Sequence, residues 1–291
     1  MMFKGIIPAL VTPLHEDESI NRNVLAQLLE SLIDEGADGF YIAGATGEGL
    51  ALRPAERRLL AEESIRIVNR RKPCIIQVAS TDFSEAIALA KHAEACGADA
   101  ISATPPIFFS YDEEDVYQYY KALANAVHIP LMIYYNPAAG FNINAEFAAK
   151  MFEVDNITAI KWTSSNYYEM TKLKDLTHGE MNVINGPDEM LLMGLSAGAD
   201  GGIGTTYNFM LDMIKSIYNH FIAHDIEAAQ WAQTRANRII SALLHYELIP
   251  AVKVILESMG FAVGNATFPM KRYSEEQKNA IVTAISEARK I

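Results

Sequence analysis

The sequence predicts an α/β fold, a (βα)8 TIM barrel with an appended C-terminal helical segment. Short apolar runs alternate with amphipathic segments throughout the first 225 residues. The apolar runs are nearly continuous, as expected for parallel strands that are buried on both faces. The tripeptide Gly-Ala-Asp occurs three times, at residues 36–38, 97–99 and 198–200, each time where a helix gives way to a strand. This recurrence indicates one βα unit used repeatedly, although an open, doubly wound sheet is an alternative.

Eight apolar runs supply the predicted strands. They cover residues 6–11, 39–43, 74–78, 100–103, 131–135, 157–161, 181–184 and 201–204. Helical periodicity fills the intervals, for example at residues 23–35, 54–71, 83–95 and 112–127. In the first of these, leucines and isoleucine recur at the spacing of a helix that lies on a sheet.

The predicted barrel occupies residues 1–225 and carries the active site. Residues 226–291 are predicted to form a helical extension of the same domain, with helices at 227–246, 250–259 and 275–289. No stretch between the two parts is rich enough in proline, glycine or serine to predict a mobile linker.

Composition excludes several classes of function. The net charge of −12 argues against nucleic acid and anionic membranes as partners. No apolar run approaches the ~18 residues of a membrane span, and no signal-peptide core follows the first residues. The two cysteines, Cys74 and Cys96, form no CxxC pair. We therefore expect a cytoplasmic protein with reduced thiols.

The histidines and cysteines give no clear metal motif. His220 and His224 have the i, i+4 spacing of a metal-binding pair, but no third ligand accompanies them, so a solvated helix face is the simpler interpretation. The sequence contains no HExxH, and we identify no His–Cys cluster. We expect no metal and no other cofactor.

In such a barrel, the functional face lies where the strands end and the βα loops begin. Lys161 closes the apolar run of the sixth strand, where a charge is costly. It is either a lysine whose ammonium reaches water, or a desolvated amine that attacks a carbonyl. Tyr134 and Tyr135 end the fifth strand on opposite faces, and alternation alone does not tell which one faces the barrel interior.

The second strand is followed by GATGEG, residues 44–49. This segment matches neither the P-loop nor the GxGxxG template for phosphate binding. Its three glycines allow either a loop that binds a small anion or a plain tight turn.

Together these residues resemble the N-acetylneuraminate lyase/dihydrodipicolinate synthase family of class I aldolases over essentially the whole chain. The resemblance is carried by five segments, at residues 7–13, 44–49, 134–137, 160–163 and 198–208. It implies that Lys161 forms a Schiff base with a 2-oxo acid, typically pyruvate, and that Tyr134 moves the proton. The family motif Tyr-Asn-x-Pro, counted back from Pro137, selects Tyr134, and Tyr135 is the alternative. The resemblance also implies that Ala45 and Thr46 hold the carboxylate, with the glycines leaving room for it, and that the protein is a homotetramer.

Two features favour the lyase branch of this family. The synthase branch uses an arginine in the loop after the fifth strand, and here no arginine occurs between Arg71 and Arg235. The segments around residues 186–189 and 204–205 resemble elements that contact sugar hydroxyls in the lyase branch. The further residues predicted to bind substrate are Thr163, Gly186, Asp188, Glu189 and Thr205.

Three departures from the family pattern concern the proton route. Ala45 stands where relatives usually carry Ser or Thr, Phe108 where many carry a relay tyrosine, and Tyr135 where Asn is usual. The expected activity is the reversible cleavage of N-acetylneuraminate to N-acetylmannosamine and pyruvate. The alternatives are an aldolase or dehydratase for another 2-keto-3-deoxy sugar acid, then a dihydrodipicolinate synthase, or a non-catalytic barrel that only binds a 2-oxo acid.

Overall fold

The computed structural model describes residues 3–290, and its centre is an eight-stranded parallel sheet. The strands are β1 (Gly5–Pro8), β2 (Phe40–Ile42), β3 (Cys74–Gln77), β4 (Ala100–Ala103), β5 (Leu131–Tyr135), β6 (Ile157–Trp162), β7 (Asn182–Asn185) and β8 (Gly201–Gly204). Strands β2 to β8 pair in chain order, and β8 pairs with β1. The circle closes where the N–H of Leu10 donates to the carbonyl of Tyr41 at 2.9 Å. The predicted barrel is thus confirmed, and the open-sheet alternative was wrong.

Helices connect successive strands on the outside of the barrel. They are α1 (Arg22–Asp34), α2 (Pro54–Val68), α3 (Phe83–Cys96), α4 (Glu113–Ala124), α5 (Ala145–Phe152), α6 (Tyr167–Leu176), α7 (Leu191–Ser196) and α8 (Tyr207–Ile222). Three more follow: α9 (Ile226–Leu243), α10 (Leu248–Ser258) and α11 (Glu275–Lys290). Within the described residues, no single helix has the length and composition to cross a membrane. The bent pair α9–α10 passes that test by length and composition only.

Short polar side chains start many of these helices. An Asn or Asp side chain accepts a hydrogen bond from an N–H of the first turn in each of six cases, at Asn21, Asp82, Asp112, Asn144, Asn166 and Asp225. Such caps satisfy backbone donors that have no partner inside the helix. The recurrent Gly-Ala-Asp tripeptide does stop helices: Gly97 ends α3 with a left-handed backbone at φ 91°.

The barrel has two separate apolar layers. One fills its interior and includes Ile7, Tyr41 and Tyr134. The other lies between the sheet and the helices and includes Tyr135 and Trp162. Side chains alternate between these layers along each strand, so the register of β5 and β6 decides which polar groups enter the interior.

The C-terminal segment is joined to the barrel mouth by a buried ion pair. Lys253 of α10 lies 2.7 Å from Glu48 of the GATGEG loop, and both side chains are almost completely buried. Glu48 also accepts a hydrogen bond from the N–H of Thr267, and Lys253 donates to the carbonyl of Asn265. Burial lowers the pKa of Lys253, while the charge of Glu48 opposes that shift. Each charge thus has a fixed partner, which a buried charge requires.

Candidate active site

A cavity of about 490 Å³ opens at the C-terminal ends of the strands. Its lining includes all nine residues predicted from sequence to form the site, namely Ala45, Thr46, Tyr134, Lys161, Thr163, Gly186, Asp188, Glu189 and Thr205. Tyr134 and Lys161 come from the C-terminal ends of β5 and β6, and the others come from the loops after β2, β6, β7 and β8, so the barrel brings together positions far apart in sequence. Their individual roles remain predictions.

Lys161 lies inside the barrel mouth beside two aromatic rings. Its side chain is only 6 % exposed, and its Nζ lies 4.3 Å from the ring centre of Tyr134 and 4.8 Å from that of Tyr41. Among the described residues, Lys161 has no salt-bridge partner. The Tyr41 hydroxyl donates to Ser102 at 2.9 Å, and burial raises the pKa of Tyr41 well above its usual value. Tyr41 is therefore an uncharged neighbour of Lys161, and no carboxylate forms an ion pair with the amine.

The structure places Tyr134, and not Tyr135, in the barrel interior. Tyr134 is opposite Lys161 in the β5–β6 register and lines the cavity. Tyr135 points toward the helices, where its ring packs 4.7 Å from that of Trp162 and its hydroxyl donates to Asn142 at 2.5 Å. This geometry favours Tyr134 as the tyrosine of the site.

The GATGEG glycines were expected from sequence to leave room for a ligand, and this expectation was wrong. A side chain at Gly44 would meet the ring of Tyr41, one at Gly47 the carbonyl of Leu10, and one at Gly49 the carbonyl of Ala43. The glycines thus allow the loop to fold closely against its own strand and against β1. That packing presents Ala45 and Thr46 to the cavity.

Backbone amides at this loop are available to an anion. Within residues 3–290, no acceptor is found for the backbone N–H of Ala45 or Thr46. The Thr46 hydroxyl lies 2.7 Å from that of Thr205, so the loops after β2 and β8 share one hydrogen bond across the mouth. Consecutive N–H groups without a partner, beside a hydroxyl, can bind a carboxylate that they face.

Thr163 has an unused hydroxyl. Within the described part of the chain, its Oγ1 is buried and has no hydrogen-bond partner. Gly186 allows this placement, because a Cβ there would lie 2.1 Å from Thr163 Oγ1. A buried hydroxyl without a partner is costly, and a substrate group in the cavity could supply one.

Asp188 and Glu189 differ in their surroundings. The carboxylate of Asp188 is buried and accepts two hydrogen bonds from Thr206, at 2.8 Å from the N–H and 2.7 Å from the hydroxyl. Burial raises the pKa of Asp188 to about 6, although the bonds from Thr206 and the nearby charge of Lys161 oppose the shift. The side chain of Glu189 is exposed at the cavity. Asp188 is thus largely engaged within the fold, whereas Glu189 is freer to meet a ligand.

Sequence reasoning missed the contribution of α9. Gln233 donates to the carbonyl of Asp188 at 3.2 Å and accepts from the N–H of Leu192 at 2.9 Å. Asn237 donates to the carbonyl of Glu189 at 3.0 Å. The C-terminal segment also supplies an apolar wall to the cavity, formed by Ile240, Leu243, Leu244 and Leu248. No local pattern signals this, because α9 meets the β7 loop only in the folded chain.

Phe108 lies outside the Lys161 cavity. Its side chain is 88 % exposed and makes an edge-to-face contact with Phe109 on the loop after β4. These residues line an adjoining space of about 570 Å³, which also reaches Ala45 and Tyr134. A hydroxyl is therefore missing at both positions noted from sequence, and Tyr134 and Thr46 remain as candidates for moving a proton.

A barrel with a buried lysine beside a tyrosine at its C-terminal mouth has the arrangement expected of the class I aldolase family that the sequence resembles. The model of the dihydrodipicolinate synthetase family matches residues 2–288 of the chain. The chain therefore belongs to this family, which confirms the resemblance drawn from sequence.

Individual relatives show which members of this family the chain is similar to. The N-acetylneuraminate lyase of Rhizobium meliloti is 32 % identical over 286 residues, covering 98 % of this chain and 95 % of that protein. CdNal from Clostridium difficile, solved in complex with mannosamine, superposes with a TM-score of 0.94 at 29 % identity, covering 100 % and 99 % of the two chains. A prophage protein of the dihydrodipicolinic acid synthase family from E. coli K12, solved with pyruvate, gives 0.94 at 25 % identity, with 99 % of each chain covered. The chain is accordingly an enzyme, a carbon–carbon lyase by its relatives.

Proposed function

We propose that the chain catalyses the reversible aldol cleavage of N-acetylneuraminate to N-acetylmannosamine and pyruvate through a Schiff base on Lys161. The observation that carries this proposal is the position of Lys161, a buried amine without a carboxylate partner, next to Tyr134 and the free amides of the Ala45–Thr46 loop. An amine in such surroundings can attack the keto carbon of a 2-oxo acid whose carboxylate the loop holds.

The reaction follows from these groups. Lys161 adds to the C2 carbonyl of the open-chain sugar acid, and loss of water leaves an iminium ion. Tyr134 gives its hydroxyl proton to the departing water, and its phenolate then accepts the proton of the C4 hydroxyl while the C3–C4 bond breaks, which releases the aldehyde of N-acetylmannosamine. The electron pair of that bond passes into the iminium and gives an enamine. Protonation of the enamine at C3 and hydrolysis then release pyruvate and free Lys161.

Two walls of the cavity support a large, N-acetylated sugar. Glu189 and Thr163 offer an exposed carboxylate and an unpaired hydroxyl, which suit a polyol chain. The opposite wall, built by Leu244 and its neighbours on α9 and α10, is apolar and suits the methyl group of an acetamide. The name of the R. meliloti relative, N-acetylneuraminate lyase, supports the same substrate.

The alternative substrate is a smaller 2-keto-3-deoxy sugar acid. The missing hydroxyls at Ala45 and Phe108 leave room for it, because they set this chain apart from the usual pattern of the family. A dihydrodipicolinate synthase is disfavoured because Lys161 is the only cation among the described residues that line the cavity. The site therefore offers no arginine for a second carboxylate. A protein that only binds a 2-oxo acid is also disfavoured, because binding alone requires neither Lys161 nor Tyr134.

A substrate panel tests the proposal. The purified chain is incubated with N-acetylneuraminate, with neuraminate lacking the acetyl group, and with six-carbon 2-keto-3-deoxy acids, and pyruvate release is followed. We expect N-acetylneuraminate to give the highest kcat/KM. A preference for a six-carbon acid would replace the proposed substrate by the alternative, and no release from any of them would contradict the aldolase proposal.

A further inference from the structure

Three potential metal ligands meet on the outside of the barrel, between α2 and α3. His92 and Cys96 are one turn apart on α3, and Glu62 reaches them from α2. His92 Nε2 lies 2.8 Å from Glu62 Oε1 and 3.7 Å from Cys96 Sγ. One donor atom from each residue lies within 4.8 Å of the other two. The prediction that there is no His–Cys cluster was wrong: His92 and Cys96, at i, i+4 spacing on α3, lie side by side.

We propose that Glu62, His92 and Cys96 form a binding site for a borderline-soft divalent cation of the Zn²⁺ type, which joins α2 to α3. The set offers one sulfur, one nitrogen and one oxygen donor. Calcium and magnesium prefer oxygen donors alone, whereas zinc binds thiolate, imidazole and carboxylate together. Three protein ligands leave a fourth tetrahedral position open to water.

The distances suit such an ion. With metal–ligand bonds of about 2.0–2.3 Å, tetrahedral geometry places nitrogen and sulfur about 3.6 Å apart and nitrogen and oxygen about 3.4 Å apart. The observed Nε2–Sγ distance of 3.7 Å already fits. The Nε2–Oε1 distance of 2.8 Å must widen slightly, and Glu62 can move because its side chain is half exposed. Solvent therefore also has a path to the site.

A bound cation would compensate the charges of the Cys96 thiolate and the Glu62 carboxylate. The competing interpretation is an ordinary His–Glu hydrogen bond with a thiol beside it, and it predicts no metal binding.

Cobalt(II) is the probe, because its thiolate complexes absorb in the near ultraviolet. The full-length protein, freed of metal with a chelator and kept reduced with a phosphine, is titrated with Co²⁺ and then with Zn²⁺. We expect one Co²⁺ per chain, a thiolate charge-transfer band, and loss of the band when Zn²⁺ displaces the probe. Zn²⁺ should also raise the melting temperature, because it binds only the folded state.

Four variants decide the assignment. Cys96→Ser should lose the band, and Glu62→Gln, at an exposed position, should weaken binding by at least about tenfold. Two controls should bind as the parent does: Cys74→Ala removes the other thiol, and His224→Asn removes half of the other i, i+4 pair. The proposal is overturned if the parent shows no band, if Cys96→Ser keeps it, if Glu62→Gln binds normally, or if either control loses it.

Discussion

Single side chains at the barrel mouth differ in how much of their bonding capacity the fold already uses. Tyr41 and Asp188 are satisfied by Ser102 and Thr206. Within residues 3–290, Lys161 lacks an ionic partner and Thr163 Oγ1 lacks a hydrogen bond. Groups with unused capacity are the ones that a substrate can engage, which is why the proposed chemistry rests on Lys161 and its immediate neighbours.

Tyr134→Phe should remove the proton acceptor and leave the Schiff base. We expect turnover to fall by about two to four orders of magnitude, the range for loss of a general acid–base group. Trapping of pyruvate should persist, because Lys161 and the carboxylate loop are unchanged. The matched control is Tyr135→Phe, which removes the bond to Asn142 outside the barrel and should cost far less.

Reversed effects in these two variants would contradict the assignment of Tyr134. If both effects stay below about threefold, another group moves the proton, and the hydroxyl of Thr46 in the same cavity is the next candidate.

Glu189→Ala should weaken selection for the sugar portion of the substrate. An unpaired hydroxyl contact costs about 1–3 kcal/mol, so kcat/KM for N-acetylneuraminate should drop by about tenfold or more. Pyruvate trapping should stay close to that of the parent. Normal cleavage of N-acetylneuraminate by this variant would remove Glu189 from the substrate site.

At the scale of elements, the loop after β7 links the site to the helices around it. Asp188 holds the first residues of α8 through Thr206, and Gln233 and Asn237 of α9 hold the carbonyls of Asp188 and Glu189. Strands and helices could be predicted from sequence because their periodicity is local. These side-chain bonds could not, since they join segments more than forty residues apart in the case of α9.

The raised pKa of Asp188 predicts that the difference in stability between Asp188→Asn and the parent depends on pH. Its native pKa of about 6 lies above the ordinary value of 3.8, so the native state holds this proton more tightly than the unfolded chain does. The associated stabilisation is complete below the ordinary value and is lost as pH rises to about 6. Asp188→Asn carries no such proton. Relative to the parent, its free energy of unfolding should therefore rise between these two pH values, by about 3 kcal/mol at most, and then stay level.

Urea unfolding of both proteins across this pH interval measures the difference. Thr206→Val, which keeps Asp188 but removes one of its two donors, is the control and should retain a titration. A stability difference between Asp188→Asn and the parent that does not change with pH would contradict the shifted pKa.

For the whole molecule, the central question is what couples the C-terminal segment to the catalytic face. The buried pair of Glu48 and Lys253 connects the GATGEG loop to α10. Lys253→Met leaves a buried carboxylate without its counter-charge and should destabilise the protein by about 3–5 kcal/mol in urea unfolding. Combining it with Glu48→Gln, which keeps an acceptor for the N–H of Thr267, should restore part of the loss. If Lys253→Met is as stable as the parent, the ion pair of Glu48 and Lys253 does not contribute to the stability of the protein.

The sequence was sufficient for the barrel and for the nine predicted residues that line the cavity, because eight βα units and the family motifs carry strong patterns. It was insufficient where three-dimensional packing decides. Strand alternation alone did not tell whether Tyr134 or Tyr135 faces the interior. The glycines of GATGEG were assigned to a ligand, although they allow close packing of the chain itself. The apolar wall that the C-terminal segment supplies could not be predicted from sequence. The homotetramer expected from the family stays a prediction, to be checked by light scattering.

Reductive trapping of pyruvate on Lys161 tests the central claim most directly. The protein is treated with borohydride in the presence and absence of pyruvate, digested with trypsin, and examined by mass spectrometry. We predict one pyruvate-derived group per chain, on the peptide that contains Lys161, and no label in Lys161→Met or without pyruvate. An unlabelled parent, or a label on another lysine such as Lys253, would contradict the account.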